Sequence, residues 1–246
     1  MRPLEGRTAL VTGGSRGIGA AIAVRLAEDG ANVAITYEKS RERAEEVVAR
    51  IEGLGRKALA IQADSADAAA VTSAVDRTAE TLDGLDILVN NAGVFPTGSI
   101  GEIGLEDIDR ALAVNLRAVI VGVRAAAKHL PDGGRIITIG STLSERVPRA
   151  GMSIYAATKS ALSGLTKGIA RDLGARGVTA VLVQPGPTDT DMNPANGPRA
   201  AAVRAMNALD RHADPADIAA TVAHVAGPAG RFITGSAITV DGGSNA

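Results

Sequence analysis

Short apolar segments with β-strand character alternate along the chain with longer segments of helical periodicity. The first, TALVT, precedes a segment in which Ile18, Ile22 and Leu26 recur at helical spacing until Gly30. Strands joined by helices in this way form parallel sheets that carry helices on both faces. The sequence therefore predicts one α/β domain over residues 1–246, a doubly wound parallel β-sheet flanked by helices on both faces.

The pattern predicts seven strands in all, and five further helices follow the first one. The predicted strands are Thr8–Thr12, Asn32–Tyr37, Lys57–Asp64, Asp86–Gly93, Gly134–Ser141, Val178–Gly186 and Ala237–Gly243. The later helices are predicted near Arg41–Leu54, 67–82, Glu106–His129, Met152–Ala175 and Pro215–Ala226. A stretch rich in Asn, Pro, Gly and Ala, Asn193–Asp210, is predicted to be the least ordered.

The charge balance and the missing cysteines exclude several classes of function. There are 26 Lys and Arg against 27 Asp and Glu, which gives no electrostatic reason to expect nucleic acid or a membrane as a partner. Without cysteine there is no disulfide, thiolate nucleophile or Cys-ligated metal. The three histidines lack metal-ligand spacing, so no metal site is expected. No signal-peptide pattern is visible, and a cytoplasmic protein is the simplest expectation.

A glycine-rich turn, VTGGSRGIGA, joins the first strand to the first helix. Gly13, Gly17 and Gly19 in this turn would let backbone amides approach a pyrophosphate at the helix N-terminus. The alternative is that these glycines only shape a tight strand–helix turn. If the turn does bind a dinucleotide, the fold is Rossmann-like.

Residues after the second strand bear on which dinucleotide would bind. NAD sites usually place a carboxylate at the end of that strand, where this chain has Tyr37. Arg16, Lys39 and Arg41 form the kind of basic cluster that a 2′-phosphate favours, whereas Glu38 opposes it. The sequence therefore predicts NADP(H) as the preferred cofactor, with NAD(H) possible.

Four polar residues form a candidate catalytic group. Tyr155 and Lys159 are four apart on one helix and lie side by side, so the ammonium is expected to lower the tyrosine pKa toward neutrality. Ser141 follows the fifth strand at the carboxyl edge of the sheet, and Asn115 is a polar residue inside an apolar helix. Each has an ordinary alternative: a surface pair, a helix cap, or an amide bonded to a neighbouring carbonyl.

The combined motifs resemble those of the short-chain dehydrogenases/reductases over essentially the whole chain. In order, these are TGGSRGIG, NNAG, Asn115, GRIITIGS, YAATK, QPGPTDTDM and ITGSAITVDGG. The resemblance implies a catalytic tetrad of Asn115, Ser141, Tyr155 and Lys159. It also implies cofactor contacts from Gly13, Ser15, Arg16, Ile18, Gly19, Tyr37, Lys39, Asp64, Ser65, Asn90, Ala92, Gly93, Tyr155, Lys159, Pro185, Gly186, Thr188 and Thr190.

By the same resemblance, the chain would transfer a hydride between nicotinamide and the carbonyl carbon of a small-molecule ketone. Tyr155 would exchange the proton, Lys159 would grip the nicotinamide ribose, Ser141 would orient the substrate oxygen, and Asn115 would help hold a water. Ser141 precedes Tyr155 by one residue more than the commonest family spacing, so Thr142 stays open as the alternative.

The resemblance also concerns substrate, partners and assembly. The general likeness is to 3-oxoacyl-(acyl-carrier-protein) reductases. Arg176 fits a carrier-protein contact, but Asp132 stands where a basic residue is expected. A narrower likeness, to a bacterial member that binds cyclic-di-GMP and mediates biofilm dispersal, gives a regulatory binding protein as the alternative function. A homotetramer is implied, with helices Glu106–His129 and Met152–Ala175 between subunits, and Asn193–Asp210 would be a substrate lid.

Overall fold

Seven parallel strands form one sheet in the order β3-β2-β1-β4-β5-β6-β7. The computed structural model describes residues 2–198 and 200–246. The strands are β1 Thr8–Val11, β2 Asn32–Tyr37, β3 Ala58–Gln62, β4 Ile87–Asn90, β5 Arg135–Ile139, β6 Thr179–Pro185 and β7 Ser236–Val240. The predicted doubly wound parallel sheet is confirmed, and most strands end earlier than the apolar pattern suggested.

Helices cover both faces of the sheet. They are α1 Gly17–Glu28, α2 Arg41–Gly53, α3 Ala68–Thr81, α4 Leu105–Leu112, α5 Ala118–Ala126, α6 Ser153–Leu173, α7 Ala200–Arg204 and α8 Pro215–Ala226. In β1 the side chains alternate between two buried apolar clusters, with Ala9 and Val11 on one face and Leu10 on the other. Helices α1, α2 and α8 pack on the first face, and α3, α5 and α6 on the second.

The long helix predicted over Glu106–His129 is interrupted in its middle. A π-helical segment, Ala113–Arg117, separates α4 from α5, and α5 ends at Ala126. Apolar periodicity did not reveal this, because one wider turn shifts the pattern without breaking it. The predicted irregular stretch Asn193–Asp210 contains the short helix α7, and Arg199 within it lies outside the described residues.

None of the helices in residues 2–198 and 200–246 is both long and apolar enough to cross a membrane.

Candidate active site

A cleft of about 1020 Å³ opens at the carboxyl ends of the strands, where the chain leaves β1, β2, β3, β4, β5 and β6. It lies at the point where strand order reverses between β1 and β4, the usual position of a ligand site in an open α/β sheet. The cleft brings together the predicted residues Gly13, Ser15, Arg16, Ile18, Gly19, Tyr37, Lys39, Asp64, Ser65, Ala92, Gly93, Ser141, Tyr155, Lys159, Pro185, Gly186, Thr188 and Thr190.

Asn90 does not line this cleft, whereas its neighbour Asn91 does. Asn90 is buried at the end of β4, with its amide 3.5 Å from the hydroxyl of Thr138. Asn91 Nδ2 donates to the carbonyls of Thr12 (2.9 Å) and Gly13 (3.1 Å), while Thr12 Oγ1 accepts from the Asn91 and Ala92 amides. Because side chains alternate along a strand, a shift of one residue exchanges a buried asparagine for one that supports the glycine turn.

The glycine turn fits a phosphate group. Gly13 has a φ of +64°, and a Cβ on Gly19 would lie 2.4 Å from the carbonyl oxygen of Gly13. Arg16 precedes α1 in extended conformation and makes no side-chain cap, so the first amides of the helix are not capped by that side chain. These amides can hold an anion at the N-terminus of α1, where the helix dipole favours negative charge.

We expect Gly19→Ala to weaken cofactor binding at least tenfold and to destabilise the fold by about 1–3 kcal/mol, because the new methyl group would contact a backbone carbonyl. Gly53→Ala is the matched control: nothing lies within 4 Å of its Cβ position at the end of α2. Fluorescence titration with the cofactor measures the change in binding, and thermal unfolding measures the change in stability. Equal behaviour of the two variants would contradict this account of the turn.

Two arginines on one lip of the cleft share a carboxylate from the other. Asp191, which follows β6, lies 2.6 Å from Arg43 Nη1 and 3.3 Å from Arg16 Nη1. Hydrogen bonds from Arg43 and Arg16 hold the pKa of Asp191 below its usual value. The sequence does not single out Arg43, because helix α2 has the pattern of an ordinary charged surface helix. Arg41, which the sequence places in the basic cluster, pairs instead with Glu45 on α2 at 2.7 Å.

A second charged group lies beside the predicted adenine contacts. Arg110 reaches from α4 to Glu38 (3.1 Å) and to Asp64 (3.4 Å), and Lys39 lies 3.3 Å from Glu38. A hydrogen bond from the Ala66 amide lowers the pKa of Asp64, and a weaker contribution from the Arg110 side chain lowers it further. Glu38, which would oppose a 2′-phosphate, is thus paired with two cations.

Tyr155 stands where the cleft becomes apolar. Its ring meets Phe95 edge-on, with centroids 4.5 Å apart and an interplanar angle of 78°. Burial raises the pKa of Tyr155 to about 12, and a hydrogen bond with Ser141 opposes that rise. The predicted lowering of this pKa toward neutrality is therefore wrong. The phenol is neutral around pH 7 and carries a proton that it can donate.

Lys159 is buried beside Tyr155, and its ammonium group points at a backbone carbonyl rather than at the tyrosine ring. Its Nζ donates to the carbonyl of Ile139 at 2.8 Å and lies 5.8 Å from the Tyr155 ring centroid. Burial lowers the pKa of Lys159 to about 8, which leaves most of the ammonium charged at neutral pH. Its charge faces this carbonyl, and the shift of the Tyr155 pKa comes from burial of the phenol.

Asn115 supports the site from behind the cleft. It lies in the π-helical segment, where Oδ1 accepts from the Val94 amide (2.9 Å) and Nδ2 donates to the Val94 carbonyl (3.0 Å) and Thr158 Oγ1 (3.1 Å). These bonds fix the loop after β4 against α6. Gly93 lies between Asn115 and Lys159, with its Cβ position 3.4 Å from Asn115 Oδ1 and 3.7 Å from Lys159 Nζ.

The structure distinguishes Ser141 from Thr142. Ser141 begins a 3₁₀ turn, accepts from the Leu143 amide at 3.2 Å and lies close enough to Tyr155 to lower the pKa of its phenol. Thr142 Oγ1 instead donates to the Pro185 carbonyl at 3.3 Å. Ser141 is therefore the hydroxyl that faces the tyrosine.

The end of the cleft near Tyr155 is mostly apolar. Its lining includes Val94, Phe95, Leu143, Met152, Pro187 and Met192, together with Val203 and Met206 from α7 and the residues just after it. In the part of the chain that the structure describes, no three His, Asp or Glu side chains come together as metal ligands would.

Comparison with known proteins agrees with this geometry. The family model described as enoyl-(acyl carrier protein) reductase matches residues 13–245. The chain is 46% identical, over 98% of both chains, to the cyclic-di-GMP-binding biofilm dispersal mediator protein of Escherichia coli K12.

Solved structures are similar over the whole fold. A short chain dehydrogenase from Burkholderia cenocepacia J2315, in complex with NADP, is 63% identical with a TM-score of 0.98, covering 99% of this chain and 100% of that one. A blue fluorescent protein from a metagenomic library, in complex with NADPH, is 54% identical with a TM-score of 0.97 at the same coverage. The chain belongs to the short-chain dehydrogenase/reductase family.

Proposed function

We propose that this protein is an NADP(H)-dependent oxidoreductase that reduces a ketone to a secondary alcohol, and catalyses the reverse oxidation. The observation that carries the proposal is that Tyr155, Ser141 and Lys159 lie together at the apolar end of a dinucleotide-sized cleft. The NADP and NADPH complexes of the two similar structures support the cofactor.

When bound, NADPH supplies the hydride that reduces the carbonyl carbon. Tyr155 gives its proton to the carbonyl oxygen as negative charge develops there, so ketone, hydride and proton together make the alcohol. Ser141 holds the same oxygen by a hydrogen bond and stabilises the developing charge. Phe95 fixes the tyrosine ring by its edge-on contact.

Lys159 and Asn115 support this proton transfer without contacting the substrate. Lys159 holds a buried ammonium beside Tyr155, where a ribose hydroxyl of the bound cofactor would accept a hydrogen bond from it. The side-chain amide of Asn115 is engaged with Val94 and Thr158, so any water that Asn115 holds would bind its main chain. Such a water would return a proton to Tyr155 after each turnover.

Residues at the adenosine end favour NADP(H), with NAD(H) as a weaker substitute. Arg16 and Arg43 offer guanidinium groups for a 2′-phosphate, and Glu38 is paired with Lys39 and Arg110. Tyr37 takes the place of the carboxylate typical of NAD sites.

The lid, the assembly and the location stay predictions. We propose that Asn193–Asp210, which contributes Val203 and Met206 to the cleft, closes over substrate. We propose a homotetramer, consistent with the exposed side chains of Leu105, Ile120 and Phe232 (97% exposed). We propose a cytoplasmic location.

The test is NADPH oxidation by the purified protein with a panel of ketones, diketones and one α,β-unsaturated thioester. We expect turnover with ketones, secondary alcohols as products, and slower reaction with NADH. Reduction of only the carbon–carbon double bond would contradict the proposal and favour the chemistry named by the family model.

Cyclic-di-GMP binding is the second candidate, favoured by the 46% identity to the biofilm dispersal mediator. Calorimetry with cyclic-di-GMP tests it independently of turnover. An acyl-carrier-protein substrate has less support, because Arg176 donates to the carbonyls of Ala127 (2.9 Å) and Leu130 at the end of α5 and lies 3.6 Å from Asp132.

A further inference from the structure

We propose that Asp191 is a cofactor-specificity residue, whose carboxylate holds the two guanidinium groups that the 2′-phosphate of NADP(H) takes over on binding. The inference rests on the proposed use of NADP(H) and adds a residue from the opposite lip of the cleft. NAD(H) lacks the 2′-phosphate and therefore has no group that competes for Arg16 and Arg43.

The position of Asp191 gives it access to both arginines. It belongs to the segment after β6, and this segment passes against the glycine turn: a Cβ on Gly17 would lie 3.2 Å from Thr190 Cγ2. One oxygen, Oδ2, lies 2.6 Å from Arg43 Nη1 and 3.3 Å from Arg16 Nη1. The three side chains are 52–54% exposed, so an incoming phosphate can reach them.

The other cations at this end are paired differently. Lys39 contacts Glu38, which directly follows β2, and Arg110 contacts Glu38 and Asp64, which follow β2 and β3. Those acids belong to the adenosine-binding half itself. Asp191 reaches this cluster from the β6 side and pairs with both arginines, so releasing one carboxylate frees two guanidinium groups at once.

A phosphate can displace this carboxylate. It carries close to two negative charges and three acceptor oxygens, and it forms stronger charge-assisted bonds with guanidinium groups than a carboxylate does. Exposed ion pairs contribute little to stability, so the bridge opposes NADP(H) binding only modestly. Removing its charge should therefore tighten NADPH binding about three- to tenfold.

Asp191→Asn keeps the size of the side chain and removes its charge. Asp189→Asn is the matched control: it removes the same charge two residues away, where Asp189 accepts from the Ala195 amide and touches neither arginine. We would titrate NADPH and NADH fluorescence with the wild type, both variants, Arg43→Gln, and Asp191→Asn combined with Arg43→Gln.

We expect Asp191→Asn to tighten NADPH binding about three- to tenfold, with a change below about twofold for NADH. Asp189→Asn should change neither, and the gain should shrink when Arg43 is already replaced. Unchanged NADPH affinity in Asp191→Asn overturns the inference alone. Weaker binding of both cofactors also overturns it, since Asp191 would then keep its contacts with the arginines when either cofactor is bound. A wild type that binds no NADPH overturns the proposed function and this inference together.

Discussion

Replacing Tyr155 with phenylalanine is expected to lower kcat for ketone reduction about 10²- to 10⁴-fold, the usual contribution of a positioned general acid. The variant loses only a hydroxyl and keeps the ring that packs against Phe95 at 4.5 Å. NADPH affinity should therefore stay within about threefold of the wild type, because the glycine turn and the arginines are untouched. Steady-state rates and cofactor titration measure the two quantities separately.

The other tyrosine of the chain provides the control. Tyr37→Phe removes the hydroxyl at the adenosine end of the same cleft, away from Ser141 and Lys159. We expect its kcat to change by less than about threefold, because Tyr37 takes no part in proton transfer. If Tyr155→Phe kept kcat within tenfold of the wild type, Tyr155 would not be the acid.

Replacing Lys159 with methionine is expected to change how stability depends on pH. The folded protein releases the Lys159 proton near pH 8, whereas an unfolded lysine holds it until about pH 10.5. Between these values the unfolded state binds more protons, so wild-type stability rises with pH and is lost again as pH falls toward 8. Relative to Lys159→Met, the wild type should gain about 3 kcal/mol in unfolding free energy across this window.

Urea unfolding at several pH values from 8 to 10.5 measures this difference, and any general effect of alkali cancels between the two proteins. Lys167→Met is the matched control, because it removes an exposed lysine from the same helix. The difference between Lys167→Met and the wild type should stay flat. A flat difference for Lys159→Met as well would show that burial does not perturb Lys159.

The sequence predicted the sheet and most of the cleft because their causes are local. Strand alternation, the glycine spacing and the YAATK motif each depend on residues close together in the chain. The pKa of Tyr155 could not be predicted in this way, since it depends on packing by Phe95 and other distant segments. The Lys159 spacing indicated the neighbour correctly but not the Ile139 carbonyl that engages its ammonium.

Contacts between distant segments account for the other differences. Asp191 meets Arg16 and Arg43 across 175 and 148 residues of sequence, and no local pattern announces such a meeting. Asn90 and Asn91 are adjacent, and only the exact end of β4 decides which one faces the cleft. These are questions of tertiary placement, which periodicity does not address.

The π-helical segment lets α4 and α5 continue as one helix while the side chains before and after the segment face in different directions. A single inserted residue rotates everything beyond it by about 100° around the axis, since an α-helix turns once in 3.6 residues. Asn115 can therefore face Val94 and Thr158 while α5 keeps its packing against α3. The inserted residue thus sets the side-chain directions of α5 relative to Asn115, so that the site residue and the core residues each face their own partners. Deleting one residue from this segment would turn either Asn115 away from Val94 and Thr158 or the apolar face of α5 away from α3. The number of residues in the segment therefore matters more than the identity of any one side chain.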